Sequence, residues 1–158
     1  MILPLLVAAG VLLVSLLSYG VATALLVQVA VRLISSGYAG LRLWKNVVVM
    51  MVVTFITTAM HLTQVALWAM AFLLCGEIST FEQAFYVSAQ NYTALGYGDV
   101  ILSERWRLLG PLEAINGLLL FGLSTAVLFA VMSHLIANRL RRQTDNLLQT
   151  LTQPEVTQ

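Results

Sequence analysis

The run "NYTALGYGDV" at residues 91–100 gathers the groups most able to do chemistry in this chain. Gly96 and Gly98 flank Tyr97, and Asp99 follows. The pattern favours the backbone over the side chains. A cation leaves water only when other oxygens replace its hydration shell, and successive main-chain carbonyls can do this if all turn to one side. Carbonyls of an ordinary strand alternate, so unusual dihedrals are required at intervals. Glycine adopts them without a Cβ clash. The candidate oxygens are the carbonyls of Ala94, Leu95, Gly96 and Tyr97. Other chemistries find less material. Cys75 is the sole cysteine, which excludes an intrachain disulfide, and it reads as a small buried apolar residue. His61 and His134 are the only histidines and belong to different apolar runs, which disfavours a metal site. No nucleophile–base pair recommends an enzyme.

The elements that must position this run are apolar. Residues of the AVILMFWYC set make up 59% of the chain and charged residues 9%. A soluble domain carries roughly 25% charged residues, so the membrane is the expected solvent. A net charge of +1 offers no basic field for nucleic acid. Residues 1–31, 46–76 and 114–138 contain no Asp, Glu, Lys or Arg. A helix needs about 20 apolar residues to cross the hydrocarbon core, so each segment can span with some tilt. The first lacks a basic n-region and exceeds the usual leader length, so it is expected to remain as a membrane helix. Orientation follows from Lys and Arg. Arg32, Arg42 and Lys45 precede the second segment and Arg139, Arg141 and Arg142 follow the third, while only Arg105 and Arg107 lie between. The first connector and the C-terminus are therefore expected in the cytoplasm. The N-terminus and the glycine run are expected outside, and the expected location is the plasma (cell inner) membrane.

The connector from Glu77 to Pro111 predicts a helix of its own. "STFE" reads as a capping box, with Ser79 capping and Glu82 reaching back. The helix is expected to stop near Thr93 or Ala94, too short to span. A half-length helix running into glycines between two spans suggests a re-entrant loop. Extended backbone at membrane depth is tolerated only where protein shields it or it lines a watery path.

"TALGYGD" at residues 93–99, after a short helix and between two spans, resembles the selectivity-filter signature of the tetrameric potassium channels. The resemblance covers roughly residues 46–138. It implies an all-α integral membrane protein: three transmembrane helices, with a re-entrant pore helix and filter between the second and third. Residues 1–33 would form an additional N-terminal helix, 46–76 the outer helix, 79–99 the pore helix and filter, 111–138 the inner helix and 139–158 a short cytoplasmic tail. One chain supplies a quarter of the carbonyl ring, so the partners implied are three further copies and membrane lipid. Potassium would be the permeant ligand, with no cofactor, nucleic acid or small-molecule substrate. The resemblance makes Thr93, Ala94, Leu95, Gly96, Tyr97, Gly98 and Asp99 the filter segment, with Tyr97 packed away from the axis. Tyr86 and Gln90 would support it, Tyr86 by bonding Asp99. The outer loop, counting Glu77, Glu82, Asp99, Glu104, Arg105 and Arg107, carries −2 per chain, or −8 in a tetramer. Such a field concentrates cations or merely solvates the loop.

The sequence departs from the family where Ala94 replaces the usual threonine. Four hydroxyls are missing from the innermost ion site, which predicts weaker binding there and looser preference for potassium over sodium. On the inner helix Gly122 is the first candidate for a gating hinge and Gly117 the second. The alternative is that either merely permits close helix packing. Ser124 and Thr125 face a cavity or bond their own helix. His61 and Gln64 continue a polar stripe from Thr54, Thr57 and Thr58. Its leading reading is glue between helices, with Ser15, Ser18, Thr23 and Gln28 as candidate partners; a pH-sensing role for His61 is the alternative. There is no arginine repeat of a voltage sensor. "LRRQTDNLLQTL" at residues 140–151 either extends the inner helix, with Leu140, Leu147 and Leu151 at a partial heptad spacing that could join four chains weakly, or frays into a basic, membrane-facing tail. The expected function is passive potassium conduction. Its rivals are a non-selective monovalent cation channel and a non-conducting scaffold or accessory subunit.

Overall fold

A computed structural model describes residues 2–35 and 43–152. Arg42, the side chain of Leu151 and residues 153–158, used in the readings above, lie outside the described residues. Among the described residues all regular structure is helical, in the order α1 (Ile2–Ser35), α2 (Leu43–Leu74), α3 (Phe81–Tyr92) and α4 (Leu109–Thr152). Three stretches are long and apolar enough to cross a membrane: Ile2–Ile34, Trp44–Leu74 and Leu109–Gln149. The twelve-residue α3 is too short to do so.

Two boundaries differ from expectation. Thr80, not Ser79, caps α3: its backbone is extended (φ −122°, ψ 144°) and its hydroxyl accepts from the Gln83 amide at 3.4 Å. "TFEQ" carries the same Thr-x-x-Gln cue one residue later, and the sequence alone does not rank the two registers. The second difference is α4. It begins at Leu109, with Pro111 inside the first turn, where a missing N–H costs no helical bond. It then runs 44 residues without a break, past the residue-138 bound of the inner helix and in keeping with the extended reading of residues 140–151. Residues 139–152 contain neither glycine nor proline, and the next proline is Pro154. At 1.5 Å per residue α4 is about 66 Å long, about twice the thickness of a hydrocarbon core.

α1 packs along the whole bundle. Its buried residues Ala8, Ser15, Tyr19, Leu26, Ala30 and Ile34 recur every four or seven positions, which makes one continuous helical face. That face enters each of three packed tiers. At one end Ala8 joins Trp68, Phe72, Ala84, Val87, Trp106 and Leu109. In the middle Tyr19 meets Val65, Tyr92 and Leu120. At the other end Leu26, Ala30 and Ile34 meet Val49, Val53, Val131 and Leu135. α3 is held in the first two tiers, wedged between α2 and α4.

Gly117 fixes how closely α4 meets α3. A Cβ built there would lie 1.9 Å from the Tyr92 carbonyl oxygen, so only glycine permits the contact. Gly117 is thus a close-packing glycine, the alternative weighed against its role as a hinge. Nothing stands within 4 Å of a Cβ built at Gly122. α4 is continuous through both.

Candidate functional site

α3 ends by handing its last carbonyls to the glycine run. Thr93 is the C-cap, its amide donating to Ala89 O at 3.2 Å. The Ala94 amide donates to Asn91 O and the Leu95 amide to Gln90 O, both at 2.9 Å. The Thr93 hydroxyl donates to Ala89 O at 2.7 Å, so it turns back on α3. It does not take the place of the hydroxyl absent at Ala94.

Beyond the cap the backbone alternates. Ala94 (φ 56°), Gly96 (φ 55°) and Gly98 (φ 74°) occupy the left-handed region, while Leu95 and Tyr97 between them do not. An alternation of this kind rotates every second peptide plane and relieves the strand-like reversal of neighbouring carbonyls. The two glycines were expected to carry it; Ala94 was not. A non-glycine residue held at positive φ costs on the order of 1–3 kcal/mol, and alanine's short side chain keeps that cost low. Residues 93–99 are all exposed within a single chain, Leu95 at 56% and Tyr97 at 68%.

Asp99 anchors the far end of the run to α3. It accepts from the Tyr86 hydroxyl at 2.8 Å and from the Gln90 side-chain amide at 3.0 Å. Its own Oδ1 also accepts from the Val100 amide at 3.1 Å. The Tyr86 hydroxyl, followed by the Gln90 amide, holds the Asp99 carboxyl below its ordinary range, and the bond to Asp99 raises the Tyr86 phenol. Tyr86 and Gln90 lie four apart, so one face of α3 presents both donors. Nearby, Glu77 accepts from the Ser103 amide and hydroxyl, both at 2.7 Å, tying the start of the connector to its return.

Behind α3 lie polar contacts that sequence reading found only in part. Ser88 reaches Val65 O at 2.7 Å and the buried Glu113 carboxyl at 2.5 Å. Ser15 donates to Gln64 Oε1 at 2.8 Å and accepts from the Asn116 amide at 2.7 Å, and Gln64 donates to Ser18 at 3.2 Å. His61 touches Tyr92, Ser124 and Tyr19. The stripe on α2 thus divides. His61 and Gln64 bridge helices, while Thr57 and Thr58 bond carbonyls of their own helix. Thr125 does the same, whereas Ser124 bonds Leu120 O and also joins His61 and Tyr19. Ser88, Glu113 and Asn116 were missed. A carboxylate opening an otherwise uncharged apolar run was the available signal, since ionisable groups inside a span demand partners. Among the described residues no cluster of three or more His, Cys, Asp or Glu side chains is arranged to hold a metal.

Residues 59–134, which include α3, the glycine run and most of the membrane part of α4, match the family model described as "Ion channel". The inward rectifier potassium channel Kirbac3.1 of Paramagnetospirillum magnetotacticum is 33% identical over 85 residues, 48% of this chain and 29% of that protein. The chain therefore spans well under half the length of that relative. No solved structure gives a significant match. The matched region takes in the second half of α2, the short capped helix, the glycine run and the part of α4 up to residue 134, and over it the chain is similar to ion channels and, in the relative named above, to a potassium channel.

Proposed function

We propose that four copies of this chain surround a common axis and conduct potassium passively, the carbonyls of Ala94, Leu95, Gly96 and Tyr97 replacing the ion's water. The observation that carries the reading is the alternation of left-handed dihedrals at Ala94, Gly96 and Gly98. A run so shaped, anchored at one end by the α3 cap and at the other by Asp99, is suited to present oxygens in register. The exposure of Leu95 and Tyr97 in one chain supports cover by neighbouring copies. The α3 C-terminus points its partial negative charge toward the start of the run, which favours a cation. The N-terminus lies outside and the C-terminus in the cytoplasm.

A second reading is favoured by Ala94, which offers no hydroxyl: the same scaffold passes sodium and potassium with little preference. Purified protein in liposomes, with reversal potentials measured in mixed sodium and potassium, distinguishes the two, and barium tests for block. Ala94→Thr is expected to strengthen potassium preference, since a gain of only about 1.4 kcal/mol is tenfold in affinity. The branched side chain must also accept the positive φ, which works against the gain. Absence of flux from the wild-type protein would sink the channel reading in favour of a scaffold.

A further inference from the structure

The middle tier contains a hydrogen-bonded cluster that joins all four helices at the foot of α3. His61 Nδ1 lies 2.8 Å from the Tyr92 hydroxyl and Nε2 lies 2.7 Å from Ser124 Oγ. Tyr19 Oη stands 2.6 Å from Ser124 Oγ and 3.3 Å from Nε2. Ser124 also reaches Leu120 O at 2.6 Å. Phe121 stacks on the imidazole with centroids 4.4 Å apart. Tyr19, Tyr92 and Ser124 are buried.

Counting protons fixes the arrangement. The Leu120 carbonyl only accepts, so Ser124 donates there. Ser124 Oγ then accepts from Tyr19 and from Nε2–H. That leaves Nδ1 as the acceptor for the Tyr92 hydroxyl. One neutral tautomer, protonated at Nε2, therefore satisfies every group in the cluster. A second proton on Nδ1 would turn that nitrogen into a donor and leave the buried Tyr92 hydroxyl hydrogen without an acceptor, a costly state away from water. The side chains facing the ring are Tyr19 from α1, Tyr92 from α3, and Phe121 and Ser124 from α4. Glu113 of α4, bonded to Ser88, is a further titratable side chain that acts on Tyr92. Arg32, Lys45 and Glu82 stand at helix ends.

Tyr92 is the last residue of α3, and the glycine run starts after its cap. We propose that His61 is a positioning residue for conduction: as the neutral Nε2–H tautomer it pins the pore-helix end to α1 and α4 through Tyr92, Ser124 and Tyr19, and its protonation releases that end and lowers ion flux. This rests on the channel reading above. It also gives α1 a task, since Tyr19 supplies the hydroxyl that completes the cluster.

The test uses the full chain in liposomes. Potassium flux in the wild type is expected to fall several-fold on acidification, once the imidazole takes its second proton. His61→Gln keeps one acceptor and one donor but cannot titrate, so its flux is expected to match the wild type at neutral pH and stay level on acidification. An unchanged acid limb in His61→Gln, or a flat wild-type profile, overturns the proposal. A second measurement does not need conduction. The ¹⁵N spectrum of the ring in a His134→Gln background, where His61 is the only histidine, is expected to show the neutral Nε2–H tautomer at neutral pH. A Nδ1–H tautomer or a charged ring there overturns the bonding scheme. Silence of all variants at every pH, with the expected tautomer present, overturns the channel reading while leaving the pinning geometry supported.

Discussion

Asp99 shows what two donors do to one exposed carboxylate. The Tyr86 hydroxyl and Gln90 amide favour its charged form and hold its titration below the ordinary carboxyl range. A depressed folded value means that the clamp is intact above the unfolded titration range, near pH 4, and is lost as pH falls through the folded value. Tyr86→Phe removes the principal cause, so Asp99 should protonate at a higher pH than in the wild type. Titrating the Asp99 side-chain carboxyl by ¹³C resonance in both proteins checks this, and coincident curves would refute the assignment. The Tyr86–Asp99 pairing was legible because it rests on a fixed spacing along a motif. Ala94 was legible as a missing hydroxyl but not as a strained residue, since positive φ outside glycine is set by the folded surroundings rather than by residue type.

Elements were legible where apolar length decides. Three long uncharged runs announced three spans, and a capping cue announced α3 to within one residue. The end of α4 stayed open between extension and fraying, because the change from apolar to charged residues at 139 marks a change of solvent and not a change of backbone. The contact between Gly117 and Tyr92 was equally hidden: a glycine in an apolar helix fits a hinge or a close crossing, and only the neighbour distinguishes them. Gly117→Ala places a methyl against a backbone oxygen that cannot swing aside. Overpacking of this kind typically costs about 1–3 kcal/mol. We expect a lower melting temperature and reduced flux for Gly117→Ala. Gly122→Ala, where space is open, should melt at or slightly above the wild-type temperature through improved helix propensity. Equal melting of the two variants would show that the close crossing does not govern stability.

At the scale of the whole molecule, one chain leaves the glycine run uncovered while its own polar tiers are enclosed. A single chain thus encloses one face of α1 and leaves residues 93–99 open. Native mass spectrometry of the detergent-solubilised protein is expected to give four chains per particle, and a monomer or dimer would refute the tetrameric pore. The role of α1 could not be read from sequence, since an apolar helix looks alike whether it faces lipid or protein. Its buried stripe emerges only when Ala8, Ser15, Tyr19, Leu26, Ala30 and Ile34 are seen to share one face.

The seat of Gly117 on the Tyr92 carbonyl also sets where α4 is free to swing. Above this fulcrum the helix is wedged against α3 and cannot tilt without dragging the carbonyl run with it. Below it lies roughly four-fifths of a 66 Å rod of about 44 residues, held by α1 and α2 as far as Leu135, so a rotation at the crossing has to carry that packing with it before it widens at the far tip.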